Sequence, residues 1–156
     1  MTYWRAYYHL VWSTKYREAT ITPERMAMLQ KAFRVVARDK GAYTHAVGGM
    51  PDHVHVAVSI PPSVAVSAYV QWLKGSSSRY LTKQIAEPGI EAFAWQEHYG
   101  MFTFSERSLE SVVHYIEHQA DHHARNELWL PYELTSEATQ TQPRGEEGPS
   151  PVTKGY

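Results

Sequence analysis

The sequence predicts one α+β domain, an antiparallel β-sheet with helices on a face, followed by a tail outside the fold. Three observations carry this. Over residues 1–132, stretches with strand-like alternation and stretches with helical apolar spacing succeed one another, without internal repeats. The chain has 156 residues, 43% hydrophobic and 13% aromatic, enough for one core and too few for two. Residues 133–156, with TSEATQTQPRGEEGPSPVTKGY, are polar and aperiodic, a composition expected to be disordered.

The elements follow in order. TYWRAYYHLVWSTK is aromatic and β-branched, a first strand. Thr22 is the expected N-cap of a helix with Pro23 in its first turn. Leu29, Ala32, Phe33 and Val36 share one face of that helix, and Gly41 ends it. AYTHAVGGMPDHVHVAVSI splits into two strands joined by a longer loop at GGMPD. SVAVSAYVQWLKGSSSRYLTKQI is a second helix, loosened at Gly75, and HYGMFTFS is a short strand. SLESVVHYIEHQADHHARNEL is one further helix, with Ser108 as N-cap and Leu109, Val112, Val113 and Ile116 as its apolar stripe. The first six elements make a βαββαβ order, the ferredoxin-like pattern of one antiparallel sheet with two helices on a single face. The last helix is extra and lies on or beyond the sheet.

Composition excludes some chemistry. With no cysteine there are no disulfides, zinc thiolates or thiol nucleophiles. The N-terminus has no uninterrupted apolar signal region, and no run of apolar residues reaches membrane-spanning length, so a soluble cytoplasmic protein is expected. Net charge is −1. The tail holds Glu133, Glu137, Glu146 and Glu147 against Arg144 and Lys154, which leaves residues 1–132 near neutral. Bulk charge therefore gives no support to a nucleic-acid partner, although a local basic stripe would suffice.

The chemistry concentrates in MPDHVHVAVSI. Side chains alternate across a strand, so Val54, Val56, Val58 and Ile60 face a core, while His53, His55, Ala57 and Ser59 share the other face. Two histidines ~6.6 Å apart along a strand can close on one metal. Solvated histidines, or histidines bonded to neighbours, are the plainer reading. In HYIEHQADHH, Tyr115, Gln119 and His122 fall on one helical face. His114, His118 and His122 form a second ladder, a rival chelate whose alternative is an exposed polar face.

These pieces together resemble the single-tyrosine HUH transposases of bacterial insertion sequences, including their REP-associated relatives. The HUH element is HVH in MPDHVHVAV, and the tyrosine element, Tyr-x-x-x-Gln, is YIEHQ, 60 residues after His55. YHLVWSTKYR, LKGSSSRYL and FAWQEHYGMFTFS also look like the family and stand in its order, so the likeness spans about residues 3–130. His98 stands where relatives often carry glycine, and the tail has no counterpart in the family.

The resemblance implies Tyr115 as nucleophile and His53, His55 and Gln119 as ligands of a divalent cation. Two imidazoles alone would suit zinc, manganese or nickel; the family implies Mg²⁺ or Mn²⁺. It further implies cleavage of single-stranded DNA at hairpin-marked ends through a 5′-phosphotyrosine, strand transfer without ATP, and homodimers that share their sites. The setting would be the bacterial cytoplasm, at the nucleoid when acting. Lys15, Arg17, Lys74, Arg79 and Lys83 are the basic candidates for DNA contact, a solvated basic face being the alternative for each. Asp52 is placed to orient a ligating histidine, and His9 would face the site if the first strand pairs with that of His53; an ordinary loop carboxylate and strand histidine are the other readings. Two further classes compete. One is a domesticated, non-mobile DNA-binding or nicking protein, against which the four intact site residues count. The other is an unrelated metal-dependent hydrolase, which leaves YIEHQ unexplained.

Overall fold

A computed structural model of the chain describes residues 2–85 and 92–125. The expected tail, and the end of the last helix beyond residue 125, lie outside the described residues. Four strands, β1 (Tyr8–Ser13), β2 (Tyr43–Met50), β3 (His53–Ser59) and β4 (Gly100–Thr103), form one sheet in the order β2-β3-β1-β4. Every neighbouring pair is antiparallel. β1 and β2 are thus joined through a helix with β3 slotted between them, the ferredoxin-like arrangement that the element order predicts.

Helices α1 (Pro23–Lys40) and α2 (Val66–Gln84) cover one face of the sheet. Leu10, Trp12, Val47, Val54, Val56 and Val58 of the strands meet Leu29, Phe33, Tyr69, Val70 and Leu73 of the helices in the main core. α1 starts and stops where its caps require. Thr22 Oγ1 accepts from the Arg25 amide at 3.3 Å, and Gly41, at φ 68°, takes the left-handed turn that other residues resist. α2 runs unbroken through Gly75, contrary to the expected loosening, because Tyr69, Val70, Leu73, Ser77 and Leu81 bury one continuous face.

Three other expectations are corrected. The β2–β3 hairpin has no long loop: Gly48, Gly49 and Met50 are strand residues paired with His55, Val54 and His53, and only Pro51 and Asp52 turn. The last helix is two, α3 (Leu109–Glu117) and α4 (Gln119–Arg125), separated at His118, whose φ −113° and ψ 34° leave the helical region. Ser108 makes no cap hydrogen bond; it is already helical and ends a 3₁₀ turn, Glu106–Ser108, that leads straight into α3.

α3 lies on the sheet face opposite α1 and α2. Its Val112, Tyr115 and Ile116 bury against Ala46 and Ala57 in a small second cluster. A β-bulge between Thr44 and Ala46 makes this fit, because it sets Ala46, and not His45, opposite Ala57. Two alanines then floor the site where α3 docks. Among the described residues, no helix is long and apolar enough to cross a membrane.

A lysine of α2 joins the contacts that hold residues 96–98. Lys74 Nζ donates to the carbonyls of Gln96, Glu97 and His98 at 2.8–3.0 Å. Burial pulls its pKa down to about 8, against the opposite pull of Glu97. The folded chain then releases this proton near pH 8, while the unfolded chain keeps it to about 10.5. Between those values the unfolded state binds more protons, so this group makes stability rise with pH. Lys74→Met is expected to flatten that rise in thermal unfolding followed from pH 8 to 10; an unchanged slope would refute the assignment.

Candidate active site

β3 supplies the centre of the site by alternation. His53 and His55 are 2% and 0% exposed, with ring centroids 5.1 Å apart, on the face beneath α3 and α4. Each ring is oriented through Nδ1. His53 Nδ1 donates to Asp52 Oδ1 at 2.7 Å, and Asp52 Oδ2 accepts from Arg17 Nε at 3.2 Å. The hydrogen bond from His53, with the charges of His53 and Arg17, outweighs burial and holds the Asp52 carboxyl down at about 2. His55 Nδ1 lies 2.8 Å from Nε2 of His9, a fully buried residue of β1. With Nδ1 engaged in each, Nε2 is the nitrogen through which either ring would hold a cation, an arrangement common around metal-binding histidines.

α3 and α4 supply the rest. Tyr115 is 1% exposed, its ring 5.9 Å from that of His55 and 6.4 Å from that of His9. Gln119 opens α4 and is 2% exposed. Its Nε2 donates to the Tyr115 carbonyl at 3.1 Å, and its Oε1 lies 3.2 Å from His123 Nε2. The His123 ring in turn sits 5.2 Å from that of His53. Tyr115 thus packs on His55, while Gln119 is linked toward His53 through His123.

α3 approaches this closely because β2 carries a glycine there. Gly48 pairs with His55, and a Cβ on it would stand 2.2 Å from the Ile116 carbonyl oxygen. Of the Gly-Gly pair that reads as a turn in the sequence, Gly48 admits α3, and Gly49 admits the backbone of His53 and Val54 on β3.

The donor set suits a divalent cation: two imidazoles whose Nδ1 atoms are engaged, and one carboxamide. Among the described residues, no three His, Cys, Asp or Glu side chains are grouped to hold a metal by themselves. The His114, His118 and His122 ladder is therefore not a chelate. The His114 and His118 rings stack at 4.1 Å, and His118 Nδ1 donates to the His114 carbonyl at 2.9 Å. His122 packs on Tyr115, with rings 4.8 Å apart.

The basic candidates separate. Arg17 serves Asp52 and through it His53; Lys15, in the adjacent 3₁₀ turn, is exposed near that end of the site. Lys74 is spent on its three carbonyls. Arg79 and Lys83 are exposed on α2, in the layer across the sheet from the histidines. A different set of cations lies on α1. Lys31, Arg34 and Arg38 stand at i, i+3 and i+7 on α1, exposed, along a groove of about 470 Å³. Gln30 and Arg34 also line an adjoining hollow of about 380 Å³ that ends at Gly48, Gly49 and Gln119. These cations share the layer of α2, but at the β2 edge of the sheet, where Arg34 borders the hollow that reaches Gln119.

Comparison with known proteins is consistent in its direction. A family model described as "Transposase IS200 like" matches residues 2–119. The ISDra2 transposase of Deinococcus radiodurans is 33% identical over 117 residues, 73% of this chain and 84% of that protein. Transposases for insertion sequence element IS200 from Salmonella typhimurium and Salmonella typhi are each 27% identical over 135 residues, 84% of this chain and 88% of theirs. A crystal structure of a Deinococcus radiodurans R1 protein assigned as a transposase aligns with a TM-score of 0.60 at 30% identity, over 76% of this chain and 95% of that one. A REP-associated tyrosine transposase bound to a REP hairpin aligns with a TM-score of 0.57 at 18% identity, over 79% and 74%, a likeness of fold.

Proposed function

Since the chain belongs to the family of IS200-like transposases, we propose that it cuts and rejoins single-stranded DNA at hairpin-marked ends through a covalent bond to Tyr115. The observation that carries this reading is the packing of the Tyr115 ring 5.9 Å from His55, with Gln119 one helical turn further on. His53, His55 and Gln119 would hold a divalent cation, Mg²⁺ or Mn²⁺. When bound, it would supply positive charge beside the scissile phosphate and the departing 3′ oxygen.

The protein's own part is positional. A phenol with an ordinary pKa near ~10 is a weak nucleophile, so its placement matters. Tyr115 Oη bonds to phosphorus as the O3′–P bond breaks; the phenolic proton leaves and the 3′ oxygen takes one up. One phosphoester replaces another, so a second 3′ hydroxyl can displace the tyrosine without an external energy source. In the arrangement described, Tyr115 is 1% exposed, packed against the sheet at the edge of a hollow lined by Glu110, Ser111, His114 and His122. α3 and α4 from a partner chain would complete the site equally well, which accords with the shared-site homodimer that the resemblance implies.

The test uses the full chain, hairpin oligonucleotides from the gene's own flanks and Mn²⁺, with products run on a denaturing gel. A covalent adduct carrying the DNA downstream of the cut is expected. Cleaved ends without adduct would overturn the reading in favour of a hydrolase.

The single-stranded DNA entering the site is proposed to follow α1. Cations one helical turn apart, roughly 5–6 Å, approximate the spacing of phosphates along a strand. Replacing Lys31, Arg34 and Arg38 together with Glu should weaken binding of a hairpin with single-stranded flanks on the order of tenfold or more, and lower its salt dependence by about two to three ions. Equal effects on a hairpin without flanks would contradict this path.

A further inference from the structure

Two neutral imidazoles joined by a hydrogen bond hold one proton between them, and its owner decides what each ring can do. His9 Nε2 and His55 Nδ1 are such a pair, 2.8 Å apart and both 0% exposed. If His9 donates, His55 Nδ1 is bare and its proton sits on Nε2, which then cannot bind a cation. If His55 donates, its Nε2 carries the lone pair. His53 faces no such choice, because its partner Asp52 is a carboxylate that only accepts.

We infer that His9 is the acceptor for His55 Nδ1–H, a positioning residue that holds His55 in the tautomer able to ligate through Nε2. The inference rests on the reading of His53, His55 and Gln119 as cation ligands. The surroundings fit the role. β1 sets His9 two residues from Val11, the partner of His55 across the strands, so the rings meet diagonally. The His9 ring is held at its edges by Phe102, at 6.3 Å, and Tyr115, at 6.4 Å, as well as by His55. It cannot easily turn its nitrogen away.

The difference between the two partners follows from burial. Asp52 lies at the hairpin turn, its side chain 29% exposed and paired with Arg17, so its charge is tolerated. At the sheet centre beside His55 a carboxylate would be a desolvated charge, which is costly. A neutral imidazole supplies the acceptor without that charge. His9 thus does for the second ligand what Asp52 does for the first.

Calorimetric titration of the full chain with Mn²⁺ tests this, with circular dichroism as a check on folding. His9→Phe keeps an aromatic ring and removes the acceptor; binding should weaken ~10- to 100-fold. His9→Gln, whose amide oxygen can accept, should stay within about threefold of wild type. Wild-type affinity in His9→Phe would overturn the inference, as would equal losses in the two folded variants, which would point to packing. His53→Ala separates this from the parent reading: if it binds Mn²⁺ like wild type, the ligand assignment itself fails. Should His9→Phe not fold, nitrogen-15 NMR of the histidine rings in the wild-type chain with Mg²⁺ decides. A proton on His55 Nδ1 supports the inference, and a proton on Nε2 refutes it.

Discussion

Tyr115→Phe is expected to abolish the covalent DNA adduct, by a factor on the order of 10³ or more, while the protein still folds and binds hairpin DNA. The substitution removes one oxygen from a side chain that is 1% exposed and packed edge-on against His9 and His55 and beside His122. Its ring packing survives, so the cost to stability should stay within about 1–2 kcal/mol. An adduct that persists would assign the nucleophile to another residue. The same variant also asks whose helix serves which sheet. Mixed with His55→Ala chains, it should restore adduct on the His55→Ala polypeptide if sites are built from two chains, at roughly a quarter of the wild-type sites. If each chain uses its own tyrosine, the mixture stays inactive.

Gly48→Ala is expected to be nearly as damaging, although it alters no reacting group. The added methyl would stand 2.2 Å from the carbonyl oxygen of Ile116, a backbone atom that no rotamer change can move. Either α3 rises from the sheet or the sheet edge shifts, at about 1–3 kcal/mol in stability. Displacement of Tyr115 by even an ångström relative to His55 should cost on the order of 10²-fold in adduct formation. Mn²⁺ binding to the histidines should suffer much less. Unchanged adduct formation and an unchanged melting temperature would show that α3 does not rest on Gly48.

Much of this molecule was legible in the sequence because local rules govern it. The alternation of HVHVAV sorted β3 into a core face and a histidine face, and Thr22, Pro23 and Gly41 marked the ends of α1. Gly48 and Gly49 read as a turn for a physical reason. Glycine commonly punctuates turns, but here Gly48 permits close approach by α3 and Gly49 close approach by β3. Lys74 looked like a DNA contact because its burial depends on the segment around residues 96–98. The partnership of His9 with His55 depends on β1 pairing beside β3, which only the assembled sheet decides. The break at His118 goes unmarked in the sequence, which has neither proline nor glycine there. Each of these is a tertiary effect written far from the residues that show it.

β3 has a consequence for how errors in this protein would express themselves. One set of its side chains builds the main core and the interleaved set builds the site. A slip of one residue in pairing would exchange the two, drawing imidazoles into the apolar layer and turning valines toward the DNA. Such a chain would fail at folding before it could fail at chemistry. Copies that accumulate intact therefore carry their histidines in working position, and loss of activity should be sought in α3, α4 and the residues that hold them down.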